Sequence, residues 1–357
     1  MRPGRASLAV LLAVGTVVVA AEPADAHGVA GIQPSNFSTR VLAIVPATRG
    51  VEVHAVDLGN KLELDNHTGR DIVVLGYDGE PYLRVGPRGV FQNGRSPAVY
   101  LNRTRTGNVP VPASANPHAP PQWERLGGGS QVRWHDHRAH WLPTANPPEV
   151  QRDPGSRHLV QHWAVTLVSD RGRIVVRGDV VWVPGPSPWI WLGVALGFAL
   201  AVIALAATRA GRPAVAASLA ALIVGETAHV FGSWAATTVA GPTKLAASAY
   251  ALGGIAVAAL AFVWVVRRGV HPAAPLLLLA GLFLALAGGL ADVSALYRSQ
   301  LPTTLPVTLA RLEIAATIGL GAGIAVVGGW QLRATAPRTR RVAPARPHPP
   351  TVSSSPA

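Results

Sequence analysis

Five apolar segments lie between Trp189 and Trp330, near 189–207, 214–239, 246–266, 273–296 and 306–330. Each supplies the ~20 residues that an α-helix needs to cross a bilayer. A chain with this pattern must place its second half in lipid, and the reading is a bundle of five helices over 187–330. Arg209 and Arg212 follow the first segment, Arg267 and Arg268 the third, and five arginines the fifth, whereas the opposite loops carry only Lys244 and Arg298. Positive charge collects on the cytoplasmic side of membrane proteins. The expected protein is therefore a multi-pass cell-membrane protein with its N-terminal domain outside and its C-terminus inside, with membrane lipid as one partner.

The net charge of +13 suggests nucleic acid until the charges are located. Much of it reflects the topology, and the chain has no aromatic-studded basic patch or nucleic-acid motif; no nucleic-acid partner is expected. Only 14% of residues are charged, against roughly 25% in soluble domains. Cysteine is absent and Met1 is the single methionine. Disulfides, thiolate zinc sites and iron–sulfur clusters are thereby excluded.

Residues 1–26 read as a secretory signal peptide. Arg2 and Arg5 precede an apolar run from Leu8 to Ala21, and Ala24-Asp25-Ala26 supplies the small-x-small cleavage pattern. Cleavage makes His27 the mature N-terminus; a retained first helix is the alternative. Residues 331–357 form a basic cytoplasmic tail rich in Pro, Arg, Ala and Ser, with too little apolar surface to fold, and are expected to be disordered.

Residues 27–186 are long enough for one extracytoplasmic domain. Val41–Val45, Val51–Val56, Lys61–Asp65 and Ile72–Leu75 read as strands, with a turn at Asn66-His67-Thr68-Gly69. Ala164–Val168, Arg173–Val176 and Val180–Val183 are further strands, and the pattern predicts an Ig-like β-sandwich. Between Arg103 and Pro154 it dissolves into Pro, Asn, Gly and His. That stretch reads as a long loop region, and such loops tend to be functional. Pro184-Gly-Pro-Ser-Pro188 is the linker to the bundle.

The segment Trp163-Ala-Val-Thr-Leu-Val-Ser169-Asp170-Arg-Gly172-Arg173, closing with Gly178-Asp-Val-Val-Trp182-Val183, resembles the last two strands of CopC-like copper-resistance domains. The resemblance covers about 30 residues plus the His27 start, and implies an exported β-sandwich that binds Cu(II). In that family the first His and a His in the closing turn are ligands. Here Arg173 stands at the turn position, the turn has an extra residue, and the middle loop is far longer. The chain as a whole also resembles actinobacterial membrane proteins.

Trp134-His135-Asp136-His137-Arg138-Ala139-His140-Trp141 is the richest histidine cluster. In an extended segment His135 and His137 share one face, and His140 can return to it through a turn. Neutral imidazoles suit Cu(II), with Zn(II) as the alternative, and the flanking tryptophans could shield them. The bland reading is a polar loop whose histidines bond to Asp136 or backbone. At His27 a free terminal amine and the imidazole form a chelating pair after cleavage. His54 and His67 read as structural, and His158 and His162 as reserve ligands on one strand face.

The acids of 187–330 are Glu226, Asp292 and Glu313, all within predicted helices, and His229 shares a helix face with Glu226. A rise of ~1.5 Å per residue puts all four in the outer half of the bilayer. Ionised groups there cost at least ~2.5 kcal/mol each. They read either as one shared polar site for a metal or a proton, or as structural ion pairs with Arg311 or Arg298.

The leading functional reading is a membrane-anchored metal-handling protein for copper homeostasis at the outer face of the membrane. The rival is a metal-free anchored module that binds an envelope protein partner. No catalytic motif with a supporting context is present, so no enzyme is expected.

Overall fold

The computed structural model describes residues 32–334, apart from position 105. The readings placed on the signal peptide, on His27 and on the C-terminal tail beyond Ala334 lie outside the described residues.

Ten strands form the N-terminal domain: β1 (Phe37–Val45), β2 (Val51–Val56), β3 (Lys61–Asn66), β4 (Ile72–Leu75), β5 (Pro81–Gly86), β6 (Gly89–Asn93), β7 (Trp123–Gly127), β8 (Gln131–Trp134), β9 (His158–Ser169) and β10 (Gly172–Trp182). They make two antiparallel sheets, ordered β1-β10-β9-β4-β5-β6-β7 and β2-β3-β8. Strand periodicity explains how both sheets bury one face. Leu62 and Leu64 of β3 point inward, as do Ile72 and Val74 of β4 and Val165 and Leu167 of β9, and all join one core. Asn66 ends β3 as an internal staple: its amide donates to the carbonyls of Arg70 and Val85 at 2.7 and 2.8 Å, and its oxygen accepts from Thr68.

The long loop expected over Arg103–Pro154 holds more structure than its composition suggests. It contains β7, β8 and the short helix α2 (Pro148–Arg152), while α1 (Pro97–Leu101) precedes it. β8 is only four residues long, with Val132 and Trp134 buried, and it pairs with β3 through Leu62↔Trp134 and Leu64↔Val132. A strand that short gives almost no periodic signal; its partner strand holds it. The strands expected at Arg173–Val176 and Val180–Val183 are one continuous strand, β10.

The C-terminal half is helical: α3 (Pro188–Ala206), α4 (Gly211–Ala236), α5 (Gly241–Ala247), α6 (Ala249–Arg268), α7 (Ala274–Phe283) and α8 (Val307–Ala334). Four of these, α3, α4, α6 and α8, are long and apolar enough to cross a membrane. The fourth apolar segment of the sequence is shorter. It runs through α7 into a π-helical stretch, Leu284–Leu290, and then into a 3-10 turn, Val293–Leu296. Outward-facing side chains such as Ile190, Leu196, Leu200, Val224 and Phe231 are apolar and exposed.

α8 is the centre of the bundle, and its glycines let neighbouring backbones come close. Gly319 and Gly323, four residues apart, face α3: a Cβ at Gly319 would lie 2.1 Å from the Ala195 carbonyl oxygen, and one at Gly323 2.1 Å from Val202 Cγ1. Small residues at this spacing allow tight helix pairs in lipid. Gly319→Leu is expected to push α3 from α8 and destabilise the bundle by about 1–3 kcal/mol or more. Thermal unfolding of the detergent-purified chain measures it, and an unchanged midpoint would contradict this packing.

The two halves meet through specific contacts. Ser35 and Gln300 exchange backbone hydrogen bonds of 3.0 and 2.8 Å, and Ser299 N–H donates to Asn36 Oδ1 at 2.8 Å. Asp57, buried just after β2, accepts from Thr238 N–H and Thr238 Oγ1 at 2.8 and 2.7 Å and pairs with Lys61 at 2.9 Å. Burial pushes the Asp57 carboxyl up, but the Thr238 donors and Lys61 outweigh it and hold its pKa below the ordinary value. Asp57 and Leu58 both have positive φ, 54° and 58°, a conformation that costs non-glycine residues energy and persists only when its surroundings enforce it.

Candidate metal site and the polar cluster of the bundle

The peptide after β8 sorts its side chains by alternation. Trp134 and Asp136 point into the core, and His135 and His137 point the other way. A 3-10 turn, His137–Ala139, then brings His140 back. The three imidazoles assemble as the spacing predicts: ring centroids lie 5.1 Å apart for His135–His137, 4.4 Å for His135–His140 and 5.8 Å for His137–His140. A tetrahedral ion bonded to three imidazoles at ~2.0–2.1 Å would set their centroids about 5 Å apart.

Two rings are oriented by backbone carbonyls. His135 Nδ1 meets Asn60 O at 2.5 Å, and His137 Nε2 meets Thr104 O at 2.9 Å. A carbonyl only accepts, so these nitrogens carry the hydrogens. In the neutral rings the lone pairs then fall on His135 Nε2 and His137 Nδ1. Metal-ligating histidines are held by the same kind of outer contact. Among the described residues, no three His, Cys, Asp or Glu side chains form a group that could hold a metal ion as they stand. The rings are at ligand spacing without a closed cage.

Beneath the trio lies a buried polar support that the sequence does not announce. Asp136, 1% exposed, accepts from Trp134 Nε1 at 2.9 Å, from Arg138 Nε and Nη2 at 2.8 Å each, and from Arg138 N–H at 3.1 Å. Burial pushes the Asp136 carboxyl up, but the Arg138 bonds and charge outweigh it and the pKa ends lowered. Arg138 also donates to the carbonyls of Leu75 and Gly76 and lies over the Tyr77 ring. Tyr77 stacks on His137 at 6.0 Å, and its hydroxyl accepts from His137 N–H. Burial and the Asp136 charge raise the Tyr77 phenol above its ordinary pKa; burial lifts Tyr82 to about 12. Trp134 belongs to the core, and Tyr77 is an aromatic ring beside His137. Trp141 stacks on Phe37 at 6.5 Å.

The other histidines stand apart. His54 is exposed beside Glu52, His158 bonds to Asp153 O at 2.6 Å, and His162 bonds to Asp179 at 2.7 Å. Arg173 lies at the start of β10, just after the turn, where Asp170 pairs with Arg70. His140 O and Arg138 O accept from Gln161 near the start of β9. The turn at Ser169 is eight residues further on, about 26 Å at a strand's rise.

In the bundle, the four sequence-predicted residues come together at the end that carries the β domain. His229 of α4 touches two carboxylates: Nε2 lies 3.4 Å from Asp292 Oδ2 and Nδ1 lies 3.2 Å from Glu313 Oε2. Thr317 Oγ1 donates to Glu313 Oε1 at 3.0 Å. Glu226 is 4% exposed, and the π-helical stretch approaches it at Gly288, where a Cβ would lie 2.9 Å from Glu226 Oε1. Arg311 does not join this group through a salt bridge. It is buried and donates to the carbonyls of Ala295 and Arg298 at 3.1 and 2.6 Å, and Arg298 lies over the Tyr297 ring.

Compared with family models, curated proteins and solved structures, the chain matches none.

Proposed function

We propose that this is a membrane-anchored metal-handling protein that holds one Cu(II) or Zn(II) ion on its outer β domain through His135, His137 and His140. The observation that carries the reading is the spacing of the three rings, 4.4–5.8 Å between centroids. Two of those rings have one nitrogen oriented by a backbone carbonyl. With no cysteine and only Met1 for sulfur, nitrogen ligands favour Cu(II) or Zn(II) over Cu(I). A free His27 amine would add a further nitrogen to the same ion. The closing β9–β10 hairpin supports a CopC-like, Ig-like sandwich, with the ligands drawn from the β8 segment in place of the turn.

The trio adjoins the seam with the bundle, because Asn60 directly follows the Asp57–Gly59 turn that docks on Thr238. In this reading α7 and its π-helical extension make the fourth of five crossings, leaving the β domain outside and the tail inside. A cysteine placed by Ser353→Cys should resist impermeant thiol reagents in intact cells; labelling there would overturn this topology. The metal reading is tested by equilibrium titration of the purified full chain with Cu(II) and Zn(II) at neutral pH. One tightly bound equivalent is expected, and none would favour the metal-free anchored module.

A further inference from the structure

We infer that Glu226, Glu313, His229 and Asp292 form a proton-binding site that exchanges with the β-domain side of the bundle. This does not depend on the metal reading, and it rests on three features of the cluster.

The first is the imidazole. Both His229 nitrogens lie on carboxylate oxygens, at 3.4 and 3.2 Å. The contact with Glu313 Oε2 is one of charge, since that oxygen has no hydrogen-bond partner, and carboxylates on both sides of a ring favour its charged form. The ring then stands as an imidazolium between Asp292 and Glu313. The second is the hydroxyl of Thr317. It has one hydrogen, which it donates to Glu313 Oε1. That leaves Glu313 Oε2 buried with no hydrogen-bond partner, which a proton on the carboxyl group satisfies. The third is charge. The charged groups facing Glu226 are Glu313, His229 and Asp292, and Arg311 is spent on carbonyls. Three carboxylates against one imidazolium leave uncompensated negative charge among apolar helices, where it is expensive. A proton shared by Glu226 and Glu313 relieves it.

The same contacts define a route. Asp292 has a 31% exposed side chain and lies next to the turn that leads to the seam residues Ser299 and Gln300. From there the groups run inward through His229, Glu313 and Thr317 to Glu226. Beyond Glu226 the bundle is packed with Val215, Leu219, Leu222, Ala258, Ala261 and Leu277. The route is therefore open toward one side only, so the site loads and unloads a proton and does not conduct.

Infrared spectroscopy of the full chain in lipid nanodiscs reads this directly through the C=O band of protonated carboxyl groups. At neutral pH, Glu226→Gln and Glu313→Gln are each expected to remove one component of that band, with the rest of the amide spectrum unchanged. Asp292→Asn should keep the component but slow its shift after transfer to D2O by about tenfold or more, the scale on which positioned proton-transfer groups act. If neither glutamine variant alters the band, the cluster holds no carboxyl proton and the inference fails. If the component disappears but Asp292→Asn and His229→Phe leave its exchange rate unchanged, the proton is fixed and the exchange is refuted.

Discussion

Asp136→Ala is expected to destabilise the β domain by about 3–5 kcal/mol, because it strands a buried partner charge. Arg138 would keep its place beneath Tyr77, with a side chain only 24% exposed, but would lose three hydrogen bonds to the carboxylate. The Trp134 indole would lose its acceptor inside the core at the same time. The sign of the pH dependence follows from the lowered pKa of Asp136. Its contribution is complete above the unfolded aspartate value of ~3.9 and is lost as pH falls through the lower folded value. Thermal unfolding of the full chain at neutral pH checks the magnitude. An Asp136→Ala protein as stable as the parent would show that the pair carries no net weight.

The second large effect is expected at the trio. Replacing His135 and His137 together by Ala should abolish Cu(II) and Zn(II) binding, because it removes two of three nitrogens whose rings already stand at ligand spacing. His67→Ala, in the turn after β3, should leave binding intact. Imidazole binds metal only when neutral, so affinity should fall as pH is lowered from neutral into the acid range. Competition with a chelator of known affinity across this range measures both effects. Binding that survives in the double variant would move the site elsewhere.

Much of this architecture is legible in the residues. Alternation marks β2 and β3 because each buries every second side chain against one core, a short apolar run after a turn marks β4, and those strands appear where the pattern puts them. The apolar runs mark four long helices for a similarly direct reason: length and composition decide what can cross a bilayer. The fourth run hides its break, since the π-helical turn at Leu284–Leu290 is as apolar as the helix before it. Its Gly288-Gly289 pair is the one local sign, and the reason lies in the approach of Gly288 to Glu226. β8 was equally hidden, because its four residues depend on pairing with β3 rather than on any pattern of their own.

The candidate sites divide the same way. His135, His137 and His140 are readable because they are close in sequence and a strand followed by a turn gathers them. Glu226 and His229 share a helix face, and burial of acids in apolar helices marks Asp292 and Glu313 as their partners. Asn60, Tyr77, Thr104 and Thr317 gave no signal, since each becomes part of a site only through tertiary contact. Neutral polar residues and backbone carbonyls are common everywhere in a chain.

The most direct test of the metal site is electron paramagnetic resonance of the full chain loaded with one equivalent of Cu(II). Coupling to imidazole nitrogens is expected in the parent protein and should disappear in the His135→Ala/His137→Ala double variant. A spectrum of solvated copper, or one identical in the parent and the double variant, would contradict a metal site built on this trio.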